Sequence, residues 1–111
     1  MDVFTVLSEP RRRDILELLA VHGQLSSSDI SKNFHVSKPA ISQHLKVLRE
    51  AKLVDMEKHA QQHLYCVNPS AMDEVEAWIR QMKREWNARL DRLEAVLTLE
   101  SAKMREKGKQ I

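Results

Sequence analysis

From Ser37 to Arg49 the chain sets Ser37, Lys38, Pro39, Ser42, Gln43, His44, Lys46 and Arg49 in a run that contains no carboxylate. Ile41, Leu45 and Leu48 recur at i, i+4 and i+7, the spacing of one buried helical stripe. On that wheel Pro39, Ser42, Gln43 and Lys46 point outward, with Lys38 and His44 on the flanks. Such a face suits hydrogen bonding and charge contact rather than bond making. The Gln43 carboxamide can pair bidentately with adenine, and Ser42 can donate or accept at a base edge. Lys38, Lys46 and Arg49 suit phosphates, which position a protein on a duplex without specifying sequence. An ordinary amphipathic helix with a solvated face would look the same in isolation, so the neighbouring elements decide.

Those neighbours follow a definite order. Val3, Phe4, Val6 and Leu7 form a short apolar cluster that packs as a first helix. A second helix follows, with Ser8 as its cap, Pro10 in its first turn and Gly23 as a left-handed C-cap. Ser26-Ser27-Ser28-Asp29 opens a short third helix that carries Ile30 and Phe34 inward. His35-Val36-Ser37 then turns into the helix described above, where Ser37 caps and Pro39 lies in the first turn. Two β-runs come next, Leu53 to Lys58 and Gln62 to Val67, joined by His59-Ala60-Gln61. Val54 and Met56 alternate with Asp55 and Glu57, and Cys66 is read as a small apolar residue on the inner face of the hairpin.

Asn68-Pro69-Ser70 closes the hairpin, and Ser70 with Asp73 resembles a capping box. From Met72 to Leu99 there is neither Gly nor Pro, and Phe4, Trp78, Ile79, Met82, Trp86, Leu90, Leu93 and Leu97 are the candidates for a dimer interface. The aromatics Trp78 and Trp86 fill a subunit seam better than they line a ligand pocket. The expected division is a core over residues 1–69, a dimerisation helix over 70–99 of the same domain, and a polar, frayed tail over 100–111.

The fold class is therefore mainly α with some β (α+β): a winged helix-turn-helix with a two-stranded wing and a long C-terminal dimerisation helix. The major groove, about 12 Å wide, admits one α-helix while the preceding helix braces it against the backbone. At 111 residues, 42% hydrophobic and 31% charged, with two Gly and three Pro, the composition suits one helical domain. The net charge of +2 does not by itself require a nucleic-acid partner. No stretch approaches the roughly 18 apolar residues of a membrane span, and one cysteine permits no internal disulfide, so a cytoplasmic setting is expected. There is no glycine-rich phosphate loop, no carboxylate pair and no nucleophile with a base, so no enzyme is expected.

The run Val36-Ser37-Lys38-Pro39-Ala40-Ile41-Ser42-Gln43-His44-Leu45-Lys46-Val47-Leu48-Arg49-Glu50-Ala51-Lys52-Leu53-Val54 resembles the recognition-helix signature of the ArsR family of bacterial repressors. Leu7-Ser8-Glu9-Pro10-Arg11-Arg12-Arg13-Asp14-Ile15-Leu16 is similar to that family's opening motif. Trp78-Ile79, Trp86 and Leu90-Asp91-Arg92-Leu93 resemble its branch without metal sites, the SdpR-like regulators. The resemblance covers roughly residues 2 to 97. It implies a homodimeric transcriptional regulator, a repressor on a palindromic operator of double-stranded DNA, with a structural role for the position of Arg12. The family places Gly before the recognition helix and before the Leu-Val of the wing, where this chain has His35 and Lys52. At the wing tip it has Gly and Arg, where this chain has His59-Ala60-Gln61-Gln62.

Sharper readings are weaker. The short third helix lacks the Cys-x-Cys box of the family's metal sensors, and no histidine follows Ser70, so no metal or cofactor is expected, while the sequence leaves open whether any small-molecule inducer exists. Thiol sensing would have to rest on Cys66 alone. Arg11, Arg12 and Arg13 suit a phosphate clamp less well than a structural role for Arg12 with solvent around the other two. The competing class is an interaction module of the same fold with weak or no DNA binding, for which the arginine-free wing is the support.

Overall fold

The structure, a computed structural model, describes residues 1–109, with side chains through Glu106. It falls into two compact units, Met1–Val75 and the chain from Glu76 onward. The first holds the core. α1 (Val3–Leu7) starts at Asp2, whose carboxylate accepts from the Thr5 N–H at 2.8 Å, and it buries Val3 and Val6. That hydrogen bond holds the Asp2 carboxyl below its ordinary pKa. α2 (Pro10–His22) buries Ile15, Leu16 and Leu19 and ends at Gly23, whose φ of 86° and ψ of −76° stop the helix with a glycine conformation other than the left-handed cap expected. Its cap is Glu9, not Ser8; Ser8 instead closes α1, donating its hydroxyl to the Thr5 carbonyl.

The three arginines at the head of α2 all have partners within the protein. Arg12 Nη1 donates to the Val6 carbonyl at 3.3 Å and Arg13 Nη1 to the Leu7 carbonyl at 2.5 Å. Both guanidinium groups thus answer carbonyls at the negative end of α1. Arg11 lies over the Phe34 ring, 5.0 Å from its centroid. The structural role expected for Arg12 extends to half-buried Arg11, while Arg13 is exposed to solvent as expected and still donates to a carbonyl.

β1 (Leu25–Ser26) precedes α3 (Ser27–Lys32), whose cap is Ser26. α4 (Lys38–Glu50) is capped by Ser37, whose hydroxyl oxygen accepts from the Ala40 N–H at 3.3 Å. β2 (Val54–His59) and β3 (Gln62–Val67) form the hairpin, and β1 pairs with the far side of β3 to give the sheet order β1-β3-β2. That third strand is missing from the two-stranded expectation, because two residues carry no alternation to read. Val6, Ile15, Leu19, Ile30, Ile41, Leu45, Leu48, Leu53 and Val54 are fully buried and form one core, against which Leu25 of β1 and Tyr65 and Val67 of β3 pack.

The pairing Val54 with Val67 and Met56 with Tyr65 sets one face of the hairpin, and Tyr65 and Val67 pack on the core. Asp55 with Cys66 and Glu57 with Leu64 share the other face. Cys66 is therefore half-buried on the outer face, opposite a carboxylate, and not on the inner face expected from the sequence. A one-residue error in phase moves every side chain across the sheet.

A short 3₁₀ turn (Pro69–Met72) leads into α5 (Asp73–Lys109), a helix of 37 residues. The Ser70 hydroxyl donates to Asn68 Oδ1 at 2.7 Å, so it does not form the capping box. α5 runs without a break past Leu99 to Lys109, because residues 100–109 include no proline and only one glycine, at 108. The frayed tail expected from Glu100 is helical this far; for residues 110–111 that expectation lies outside the described residues.

Candidate nucleic-acid interface

The helix-turn-helix is α3, the segment 33–37, and α4. Ser31, Asn33 and Phe34 make the tight corner, where the Asn33 side chain donates to the Asp29 carbonyl at 2.9 Å and the Phe34 N–H to the Ser31 carbonyl at 3.1 Å. With Ile30 and Ile41 both sealed from water, the two helices are held in one relative pose.

That pose sorts α4 into two arcs. Ile41, Leu45, Val47 and Leu48 are buried, with Ala40 and His44 half-buried between them. Ser37, Lys38, Pro39, Ser42, Gln43, Lys46 and Arg49 are exposed, and Glu50 is the acid among them. Among the described residues Lys38, Lys46 and Arg49 make no ion pair within the chain, so their charge is available outward. Seven of the eight residues selected from the sequence thus share the exposed arc.

His44 is the exception. It turns to the packed side, near Arg12, Arg11 and Glu9 at the head of α2. Burial lowers its pKa below the ordinary 6.5, and the Arg12 and Arg11 cations lower it further against the pull of Glu9. The wheel put His44 on a flank because α2 packs across a wider arc than Ile41, Leu45 and Leu48 mark out.

The end of α4 fixes where the wing begins. The Leu53 N–H donates to the Leu48 carbonyl at 3.0 Å and the Lys52 N–H to that of Arg49 at 2.9 Å, the two bonds of a Schellman stop. Lys52 takes the left-handed position, with φ 63°. Asn68 clamps the same turn: its N–H donates to the Leu53 carbonyl at 2.9 Å and its side chain to that of Lys52 at 3.0 Å. At the wing tip Ala60 is also left-handed, with φ 56°. Both positions thus keep a backbone that favours glycine without having one.

The wing itself is charge-mixed. Glu57 accepts from His59 at 3.1 Å and lies 3.5 Å from the Gln24 amide nitrogen, while Lys58 and His63 are exposed across from each other. A groove between α4 and β2 sets Lys46 and Arg49 beside Glu50, Asp55 and Glu57. A second cleft brings Ser27, Ser28 and Lys32 opposite Gln61 and Gln62. Asp29 lines the same cleft and pairs with Lys32 at 3.8 Å, so the hydroxyl and amide donors are the groups there that suit phosphate oxygens. Sequence spacing gave no sign of them, because they meet only through the pairing of β1 with β3.

On α5 the seam candidates Trp78, Ile79, Met82, Trp86, Leu90, Leu93 and Leu97 are between 37% and 59% exposed, and Phe4 of α1 is 39% exposed. Arg89 lies over the Trp86 ring, 5.9 Å from its centroid. No group of three or more His, Cys, Asp or Glu among the described residues is placed to hold a metal ion. No described helix is long and apolar enough to cross a membrane.

Known proteins share this arrangement. The family described as "Bacterial regulatory protein, arsR family" matches residues 9–56. The chain is 35% identical over 78 residues to the transcriptional repressor SdpR of Bacillus subtilis, covering 70% of this chain and 86% of that protein. It is 36% identical over 73 residues to the arsenical resistance operon repressor of Staphylococcus xylosus, covering 66% of this chain and 69% of that one. Among solved structures, an ArsR-like transcriptional regulator from Rhodococcus sp. RHA1 superimposes with a TM-score of 0.73 at 26% identity, over 85% of this chain and 88% of that one. A helix-turn-helix with a polar, cation-bearing outer face, these relatives and this fold together make the chain a DNA-binding transcription regulator of the ArsR family, not an enzyme.

Proposed function

We propose that the protein is a homodimeric repressor in the cytoplasm of a bacterium or archaeon that occupies a palindromic operator and excludes polymerase. The exposed arc of α4 carries this reading: Ser42 and Gln43 are free to meet base edges, and Lys38, Lys46 and Arg49 beside them make no ion pair among the described residues. The exposed stripe on α5 and Phe4 supply apolar surface for a second subunit, which would set two α4 helices in successive major grooves roughly 34 Å apart. The relative named a transcriptional repressor supports the direction of regulation. No inducer is needed for this role; occupancy set by protein level would suffice. Asp55 and Glu57 limit the wing to weak backbone contact, and α4 does the reading.

Genome-wide footprinting of the purified protein, followed by fluorescence anisotropy on the recovered duplexes, tests the reading. Gln43→Ala should change preference at one base position by about 1–3 kcal/mol. Lys46→Ala should weaken all sequences alike and flatten the salt dependence by about one phosphate contact. A uniform loss in Gln43→Ala would remove that residue from base reading. Absence of salt-sensitive binding to any promoter would leave only the interaction module.

A further inference from the structure

The wing carries its charge in a form that depends on protons. Between Val54 and Val67 the fixed charges are Asp55, Glu57 and Lys58, and the imidazoles are His59 and His63. With both imidazoles neutral the wing is net −1, and with both protonated it is net +1. Both histidines are exposed, and they leave the hairpin on opposite faces, because His59 pairs with Gln62 and His63 with Lys58 in successive rungs. On the outer face His59 Nε2 lies 3.1 Å from Glu57 Oε2. Protonation there turns a hydrogen bond into an ion pair and covers one of the two carboxylates that repel a DNA backbone. On the inner face His63 lines the cleft shared with α3. The groups facing it are Lys58 across the hairpin, Asp29 and Lys32 on α3, and Tyr65 two residues on along its own strand. Lys32 is turned to Asp29 at 3.8 Å. His63 is therefore the side chain in the cleft that can add positive charge to the hydroxyls of Ser27 and Ser28 and the amides of Gln61 and Gln62.

We infer that His59 and His63 are DNA-backbone contacts that engage in the imidazolium form, so that the wing joins α4 on the duplex as pH falls. Imidazoles ordinarily change charge near pH 6.5, and a phosphate brought beside one favours the charged form. Proton uptake and DNA binding are then linked and reciprocal. A phosphate that favours the imidazolium tenfold raises the affinity for DNA tenfold once the pH is low enough. Because the contact is to phosphates, it strengthens all sequences alike and leaves base reading to Ser42 and Gln43. The inference rests on the DNA binding established above and needs neither repression nor a second subunit. His44 is a separate titrating group, on the packed side of α4 against Arg12, Arg11 and Glu9, and it is retained in every variant below.

Fluorescence anisotropy of the full chain on a labelled duplex of scrambled sequence, at about pH 8 and about pH 6 and constant ionic strength, tests this. Wild type should bind roughly tenfold more tightly at the lower pH, with a salt dependence steeper by about one phosphate contact. The double variant His59→Gln, His63→Gln should lose most of that gain. His63→Arg should bind at the higher pH nearly as tightly as wild type does at the lower, and should respond less to pH. His22→Gln, at the end of α2, should keep the full gain. Thermal unfolding of each variant at both pH values separates a lost contact from a lost fold. A gain as large in the double variant as in wild type would overturn the assignment, and so would His63→Arg without effect at the higher pH. A wild type that binds no duplex at either pH would instead remove DNA binding itself, and the wing contact with it.

Discussion

Replacing Lys52 by glycine should stabilise the protein. Lys52 is exposed and holds φ 63° in the stop between α4 and the wing, so its Cβ crowds the following carbonyl while its side chain adds no packing. The left-handed conformation costs a residue with a Cβ about 1–2 kcal/mol. Glycine removes that cost but loses about 0.5–1 kcal/mol more backbone freedom on folding than alanine does. The surplus is about 0.5–1 kcal/mol in favour of glycine, roughly 2–8 °C in Tm for a unit of this size. Thermal and urea unfolding of Lys52→Gly and Lys52→Ala would measure it. Alanine keeps the Cβ and loses only the exposed stem and charge, so it should sit within about 0.5 kcal/mol of wild type. If both variants matched wild type, or glycine were the less stable, the strain argument would fail. The backbone bonds from Lys52 and Leu53 and the Asn68 clamp are retained in both, so the pose of the wing is a control.

Other outcomes follow from the same geometry. Ser37→Ala removes the acceptor for the Ala40 N–H and should destabilise by about 1 kcal/mol in urea unfolding. Because α4 then frays at the end that carries Lys38, its DNA affinity should fall as well. The His44 pKa is depressed in the folded state, so the unfolded chain takes up the proton first as pH falls through 6.5. Stability should therefore drop below pH 6.5, down to the lower folded pKa, and His44→Gln should lose that part of the slope in Tm measured against pH. Arg13→Ala removes the donor to the Leu7 carbonyl and should loosen α1, seen as faster amide exchange over Val3–Leu7 with α4 unchanged.

The helical half of this protein was legible in one dimension. Ile41, Leu45 and Leu48 mark the buried stripe of α4 by spacing alone, and Ser37, Pro39 and Gly23 mark ends through local rules of capping and φ. Periodicity of this kind needs no partner to be read, so spacing alone sets Pro39, Ser42, Gln43 and Lys46 outward and Lys38 on the flank. The apolar stripe of α5 is likewise a property of the chain itself.

Tertiary structure decided what depends on residues far apart. His44 sits on the packed side because α2 brings Arg12 and Arg11 against it, a contact that no spacing within α4 encodes. The phase of the hairpin is set by Tyr65 and Val67 docking on the core, and that alone moves Cys66 to the outer face. β1 exists only because Leu25 and Ser26 lie beside Tyr65 and Leu64, and that pairing creates the cleft between Ser27, Ser28, Lys32 and the wing. Local sequence fixes which face a helix can bury; only the packed core fixes what lies against that face.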